Sequence, residues 1–325
     1  MLRRFLTASL SLLATVALYA FATAPRAIDH EPVMPEIDGG LEAWLSAREA
    51  DVHRQTPIIE GAEKRIRWYA DQTGSRTPYS IVYLHGFSAT RQEIAPVSDM
   101  LADELGANLF ETRLAGHGLI DDPLDGIVAE QWLDDAAEAL AIGSTIGDRI
   151  ILIGVSTGAT LALTMSEADA FDDVAALVLM SPNFAPIDPA AELLTKPGGP
   201  QLARFLVGET HSWEAANPEQ ERYWSTTYPT TAVIEMMRLV DLARSQLPLE
   251  LSQPLLTIYS PEDTVIDTGQ IRESLAKISS PGADVIEITE SGDRSNHVLA
   301  GDILSPANNQ VVTGYIVKFV RTADL

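Results

Sequence analysis

Cysteine is absent from all 325 residues. That excludes disulfides, thiolate metal sites, iron–sulfur clusters, a cysteine nucleophile and a lipoprotein-type lipid anchor. Basic charge is scarce as well: 22 lysines and arginines, only four of them lysines, stand against 46 acidic residues, a formal charge of −24. A surface that negative repels phosphate backbones, so nucleic acid is not expected as a partner. Neither a Gly-x-Gly-x-x-Gly nor a P-loop sequence occurs, and no nucleotide cofactor is indicated. No two of the six histidines have metal-ligand spacing, so no metal is expected. What remains is an ordinary globular composition, 46 % hydrophobic and 21 % charged, in a chain long enough for one large domain or two small ones.

Arg3 and Arg4 precede an uncharged run, Phe5 to Ala24, rich in Leu, Ala and Val. A run of that length spans roughly 30 Å as a helix, the thickness of a bilayer core. A core helix is disfavoured because the run has no polar face. Residues 1–24 therefore read as a signal peptide or a membrane anchor. Ala20-Phe21-Ala22 and Ala22-Thr23-Ala24 both have the small-x-small pattern of a cleavage site, and Pro25 hinders the second. Arginines before the run and Asp29, Glu31 and Glu36 after it direct the body outward. The expectation is an exported protein, periplasmic or extracellular, with membrane contact through the N-terminal segment if it is retained.

Residues 25–61 read as a polar stalk with a short helical stretch around Leu41 to Glu49. Beyond it, strand and helix patterns alternate. Strands are expected over Arg65 to Ala70, Ser80 to Leu84, Asn108 to Thr112, Arg149 to Val155, Ala175 to Met180, Leu255 to Ser260 and Asp284 to Ile288. Helices are expected over Arg91 to Leu105, Ala129 to Ile146, Thr157 to Glu167, Thr268 to Ile278 and Ala307 to Val320. Runs such as Ile150-Ile151-Leu152-Ile153 lack polar alternation, which suits strands buried on both faces of a mostly parallel sheet. Residues 62–181 and 254–325 thus form an α/β core. Residues 182–253 carry helical patterns and no convincing strand, far beyond an ordinary βα connection, and read as an insertion. Its Trp213, Tyr223, Trp224, Tyr228, Met236 and Met237 either pack it onto the body or line an apolar acyl pocket.

The chemistry centres on Gly154-Val155-Ser156-Thr157-Gly158, placed where a buried strand ends and a helix begins. A sharp turn there needs glycine on both sides, and it lifts the Ser156 hydroxyl above the sheet edge. The plain alternative is a serine that caps the helix. A neutral serine needs a base. His297, in Ser295-Asn296-His297-Val298 after the last strand, is the candidate; His85 and His117 sit beside glycines and read as loop-shaping residues. The imidazole needs a carboxylate to fix its tautomer. Asp263 is the candidate, with Glu262 and Asp267 as competitors and an acidic surface turn as the plain alternative.

Tyr83-Leu84-His85-Gly86-Phe87, the Gly154–Gly158 motif, Asp263 with Val265, and His297 together resemble the α/β-hydrolase superfamily. Arg113-Leu114-Ala115-Gly116-His117-Gly118 is similar to a loop of its monoacylglycerol lipase and serine aminopeptidase-like branch. The resemblance implies an α/β-hydrolase fold with a mostly parallel sheet of about eight strands, a helical lid at the insertion, and an oxyanion hole from the backbone N–H groups of Phe87 and Thr157. His-Gly-Phe stands where some lipases have His-Gly-Gly-Gly, which implies the single-glycine branch. The expected activity is serine hydrolysis of small neutral esters or acylglycerols, with catalytic Ser156, Asp263 and His297 and no cofactor. A peptidase, amidase or thioesterase would use the same residues, and a tethered binding module without turnover is the remaining alternative.

Overall fold

The computed structural model describes residue 19, residues 22–38 and residues 40–323. The leader through residue 18, together with Ala20 and Phe21 of the first cleavage motif, lies outside the described residues.

Seven strands form one sheet. They are β1 (Arg65–Arg67), β2 (Thr77–Leu84), β3 (Asn108–Glu111), β4 (Gly147–Val155), β5 (Val174–Met180), β9 (Leu255–Tyr259) and β11 (Asp284–Glu287). Their order is β1-β3-β2-β4-β5-β9-β11, and all pair in parallel except β1, which runs antiparallel to β3 at one edge. All seven expected strands are present; the count is seven rather than the eight that the resemblance implies.

The uniformly apolar strands are explained by two cores. Ile150 and Leu152 of β4 point into one, which holds α3 (Ala129–Ile146), α4 (Thr157–Thr164) and α7 (Thr230–Ser245). Ile151, Ile153 and Val155 point into the other, against α2 (Val97–Leu105) and α9 (Asn309–Thr322). Successive side chains of a strand point to opposite faces, so a strand covered on both sides needs an apolar residue at every position.

Several expectations shift. The helix expected over Arg91 to Leu105 is a 3₁₀ turn, Arg91–Glu93, followed by α2 after Pro96. Proline cannot donate within a helix interior, so the regular helix starts just beyond it. The expected Thr157–Glu167 helix tightens into a 3₁₀ turn at Met165–Glu167. The helix α8 (Thr268–Leu275) stops three residues short of the expected end.

The insertion is not wholly helical. Between α5 (Gly199–Val207), α6 (Pro218–Tyr223) and α7 it carries an antiparallel strand pair, β6 (Thr210–Ser212) with β7 (Thr227–Pro229). Near its end β8 (Leu249–Glu250) pairs in parallel with β10 (Ile278–Ser279). The supposed stalk also differs from its reading: it contains α1 (Leu41–Gln55), longer than expected, and is bonded to the body. Glu49 pairs with Arg113 at 2.7 Å, His30 Nε2 lies 2.7 Å from Asp134, and Ile58 bridges to Leu119. These contacts lie far apart in sequence, where local patterning carries no signal of them.

Candidate active site

Strand β4 ends at Val155 and α4 begins at Thr157, which leaves Ser156 alone in the turn with φ 52° and ψ −118°. A non-glycine residue with positive φ is strained, and the surrounding packing must hold it. The glycines on either side allow that packing. A Cβ at Gly154 would meet the Gly158 carbonyl oxygen at 2.4 Å, and one at Gly158 would meet the Leu84 carbonyl oxygen at 2.2 Å. The Ser156 N–H donates to the Met180 carbonyl at 2.8 Å, and its own carbonyl accepts from Ala159, Thr160 and Asn183. The side chain of Ser156 makes no capping bond to α4, unlike the plain alternative.

His297 and Asp263 come from separate loops and meet. His297 Nδ1 lies 2.7 Å from Asp263 Oδ2, with both residues buried. The second oxygen of Asp263, Oδ1, accepts from the backbone N–H groups of Val265 at 2.7 Å and Ile266 at 3.1 Å. The competitors are used elsewhere: Glu262 is exposed, and Asp267 caps α8 by accepting from Gly269 and Gln270. The His297 loop is tied to the sheet by Ser181 Oγ, which donates to the His297 carbonyl at 2.7 Å. Met180 and Ser181, at the C-terminal end of β5, thus hold Ser156 and His297 from adjacent positions. Burial lowers the proton affinity of His297, but the charges of Asp263, Glu93 and Asp293 outweigh it and raise the pKa above its ordinary value.

Among the described residues, the backbone N–H groups of Phe87 and Thr157 donate to no protein acceptor. Two free N–H donors beside a buried serine can receive the charge of a carbonyl oxygen under attack. Gly86, just before Phe87, lies against the serine, since a Cβ there would stand 3.2 Å from Ser156 Cβ.

His85 and His117 shape the surrounding loops. His85 Nδ1 donates to the Gly86 carbonyl at 2.9 Å, while its Nε2 accepts from the Leu114 N–H at 3.0 Å. Burial is the main cause that pushes His85 well below its ordinary pKa and His117 down to about 4, so both rings are neutral at pH 7. Together with Phe87, Trp132 and Tyr228 they form a chain of edge-on ring contacts behind the turn.

The aromatic and sulfur residues of the insertion divide between the two readings. Met237 is wholly in the core. Met236 reaches the site: its sulfur accepts from Asn183 Nδ2 at 3.0 Å, and the same nitrogen lies 3.5 Å from Thr157 Oγ1. Trp224 and Tyr228 line a cavity of about 950 Å³ between the insertion and the Leu119–Asp125 loop. Its lining includes neither Ser156 nor His297, and it adjoins the site through Tyr228, whose ring is 5.1 Å from that of Phe87.

Two carboxylates of the site escape sequence reasoning. Asp293 Oδ2 accepts from the N–H groups of His297 and Val298, each at 3.0 Å, and so shapes the histidine loop. Glu93 lies buried behind Gly86. Asp293 stands in Ser291-Gly292-Asp293-Arg294-Ser295, whose turn-forming composition was an available signal. Glu93 carries none in the local pattern.

The sequence profile of the Alpha/beta hydrolase family matches residues 81–302. Over 237 residues the chain is 25 % identical to a thermostable monoacylglycerol lipase from Bacillus sp. (strain H-257), covering 73 % of this chain and 88 % of that one. Its fold is similar to a solved structure from work on the metagenome-derived lipolytic enzymes LipS and LipT, with a TM-score of 0.67 at 17 % identity over 82 % of this chain and 100 % of the other. It is also similar to the monoacylglycerol lipase of Paleococcus ferrophilus, with a TM-score of 0.60 at 14 % identity over 80 % of this chain and 98 % of that one.

Proposed function

Because the chain belongs to the alpha/beta hydrolase family, we propose that it hydrolyses small neutral carboxylic esters or acylglycerols through an acyl-enzyme on Ser156. The observation that carries this reading is the 2.7 Å Asp263–His297 pair, whose histidine is held by Ser181, the chain neighbour of the Met180 that holds the strained serine turn. His297 Nε2 takes the hydroxyl proton as Ser156 Oγ attacks the ester carbonyl. The carbonyl oxygen gains negative charge and meets the N–H groups of Phe87 and Thr157, each such donor worth about 3 kcal/mol of barrier. The C–O bond breaks, and His297 returns the proton to the departing alcohol. A water that gives its proton to His297 then releases the acid and restores the serine.

A formal net charge of −24 disfavours anionic lipids, while Met236 near Thr157 and the cavity that Tyr228 lines next to Phe87 offer apolar surface. Labelling with a fluorophosphonate probe and turnover of nitrophenyl esters of increasing acyl length test the proposal. Ser156→Ala should abolish both. Hydrolysis confined to amides or thioesters would change the bond assigned, and no labelling of the folded wild type would reject the enzyme.

We further infer export, with residues 1–24 retained as a tether. Thr23 Oγ1 accepts from Gln201 Nε2 at 2.6 Å, which sets the end of the apolar run beside α5. That helix exposes Leu202, Phe205 (85 %), Leu206 and Val207. An apolar helix face next to a hydrophobic tether fits the surface of a bilayer whose headgroups carry no net charge. The full-length chain should sediment with phosphatidylcholine vesicles, and Phe205→Ser with Leu206→Ser should weaken that binding several-fold without reducing hydrolysis of a soluble ester. Recovery of the full-length chain in the cytosolic fraction would reject the tether.

A further inference from the structure

Glu93 is a carboxylate that the reaction above does not use. It closes the 3₁₀ turn Arg91–Glu93 and is 2 % exposed. Its Oε2 accepts two hydrogen bonds of 2.8 Å, one from the Tyr83 hydroxyl and one from the Gly86 N–H. A Cβ on Gly86 would stand 2.8 Å from Glu93 Oε1 and 3.2 Å from Ser156 Cβ. The bare Cα of Gly86 therefore lets the glutamate and the serine close in on the same point beside the backbone.

No lysine or arginine forms an ion pair with Glu93 among the described residues. Glu111, also fully buried on this side of the molecule, is paired with Arg65 at 2.7 Å and Arg91 at 3.3 Å. A buried carboxylate without a cation is costly, and an apolar side chain of similar volume would serve packing better. Its placement instead suits the charge that the reaction creates. The titratable groups facing His297 are Asp263 from the loop after β9, Asp293 from its own loop, and Glu93 from the turn after β2. Those facing Glu93 are Tyr83, His297 and Asp293.

Building on the serine-hydrolase reading, we propose that Glu93 is a positioning residue: it seats the Gly86–Phe87 turn that presents the Phe87 N–H, and it holds a second buried negative charge against His297. When His297 takes the serine proton it becomes a cation, and Glu93 stabilises that cation from a side other than that of Asp263. Burial, with the charge of Asp293, raises the pKa of Glu93 above its ordinary value, and the Gly86 and Tyr83 hydrogen bonds and the charge of His297 oppose that rise without reversing it. Two donors converge on Oε2, the arrangement of an accepting carboxylate oxygen.

Three variants separate the two duties. Glu93→Gln keeps an acceptor and the volume but removes the charge. Glu93→Asp keeps the charge but withdraws the oxygen from Gly86. Tyr83→Phe removes one hydrogen bond and leaves the carboxylate. Two readouts apply: the pH profile of kcat/KM with a nitrophenyl ester, and the titration of the His297 ring followed by NMR. Glu93→Gln should move both the acid limb and the His297 titration to lower pH, by on the order of half a unit to one unit. Glu93→Asp should leave the limb in place and lower the plateau rate about ten-fold or more. Tyr83→Phe should leave the His297 titration within roughly 0.2 of wild type, because the charge persists.

An unchanged limb and an unchanged His297 titration in folded Glu93→Gln would overturn the proposal. Should Glu93→Gln fail to fold, the decision passes to Glu93→Asp: a lowered plateau supports the proposal and an undiminished one overturns it. If the wild type shows no hydrolysis, the functional reading fails separately. The His297 titration then still decides whether Glu93 acts on the imidazole.

Discussion

Asp263 uses its two oxygens differently. Oδ1 accepts from the Val265 and Ile266 N–H groups, so Oδ2 must face His297. An asparagine at this position would keep its carbonyl on those two donors and turn its amide nitrogen toward His297 Nδ1. The imidazole would then carry its proton on Nε2, the tautomer unable to take one from Ser156. Asp263→Asn is therefore expected to fold, as judged by circular dichroism, and to lose about four orders of magnitude in kcat. Since the pKa of His297 lies above its ordinary 6.5, the wild-type rate should already fall as the pH drops through neutrality. Ser156, His297 and Asp263 were legible in the sequence because each stands in a short segment with its own chemistry. Glu93 and Asp293 were not: their roles arise from contacts with Gly86 and His297 that exist only after folding.

Helix α1 shows how an element can look like linker in sequence and be fixed in the structure. Its Glu49 pairs with Arg113 at 2.7 Å, and Arg113 also donates to the His117 carbonyl at 3.4 Å. Lys64 is buried between Asp135 and Glu138, and Asp135 accepts from the Ala115 N–H at 2.6 Å. The cluster thus clamps α1 and α3 around the Arg113–Gly118 loop. Loss of one partner leaves a buried charge uncompensated, so Glu49→Gln should cost about 3 kcal/mol in urea unfolding. Burial pushes the Glu49 pKa up, but Arg113 and Lys64 outweigh it and hold the carboxyl below its usual range. A depressed carboxylate stabilises the fold above pH 4.5 and loses that contribution as the pH falls through the folded-state pKa. The difference between wild type and Glu49→Gln should therefore shrink as the pH falls below 4.5.

At the scale of the whole molecule, buried histidines couple stability to pH. His85 and His117 are neutral inside the protein and titrate near 6.5 once unfolded. Between 6.5 and the lower folded values the unfolded chain binds more protons, so stability falls as the pH drops. At about 1.4 kcal/mol per pH unit, His117 alone accounts for roughly 3 kcal/mol by pH 4. His297 has the opposite sign: its raised pKa stabilises the fold below pH 6.5, a contribution lost as the pH rises through the folded value. Two histidines against one leave a net loss in acid. Urea midpoints measured from pH 7 to 5 should fall, and Asp263→Asn, which removes the main stabiliser of the His297 cation, should steepen that fall.

The sequence by itself determined the seven strands, the burial of the central parallel ones and the turn that carries Ser156. These depend on local patterning: an apolar residue at every position for a strand covered on both faces, and glycines where a side chain would strike the backbone. Only the tertiary structure decided the β6–β7 pair, the docking of α1, and the carboxylates around His297. Those depend on contacts between residues distant in the chain, and a buried charge gains its role from the partners that folding brings to it.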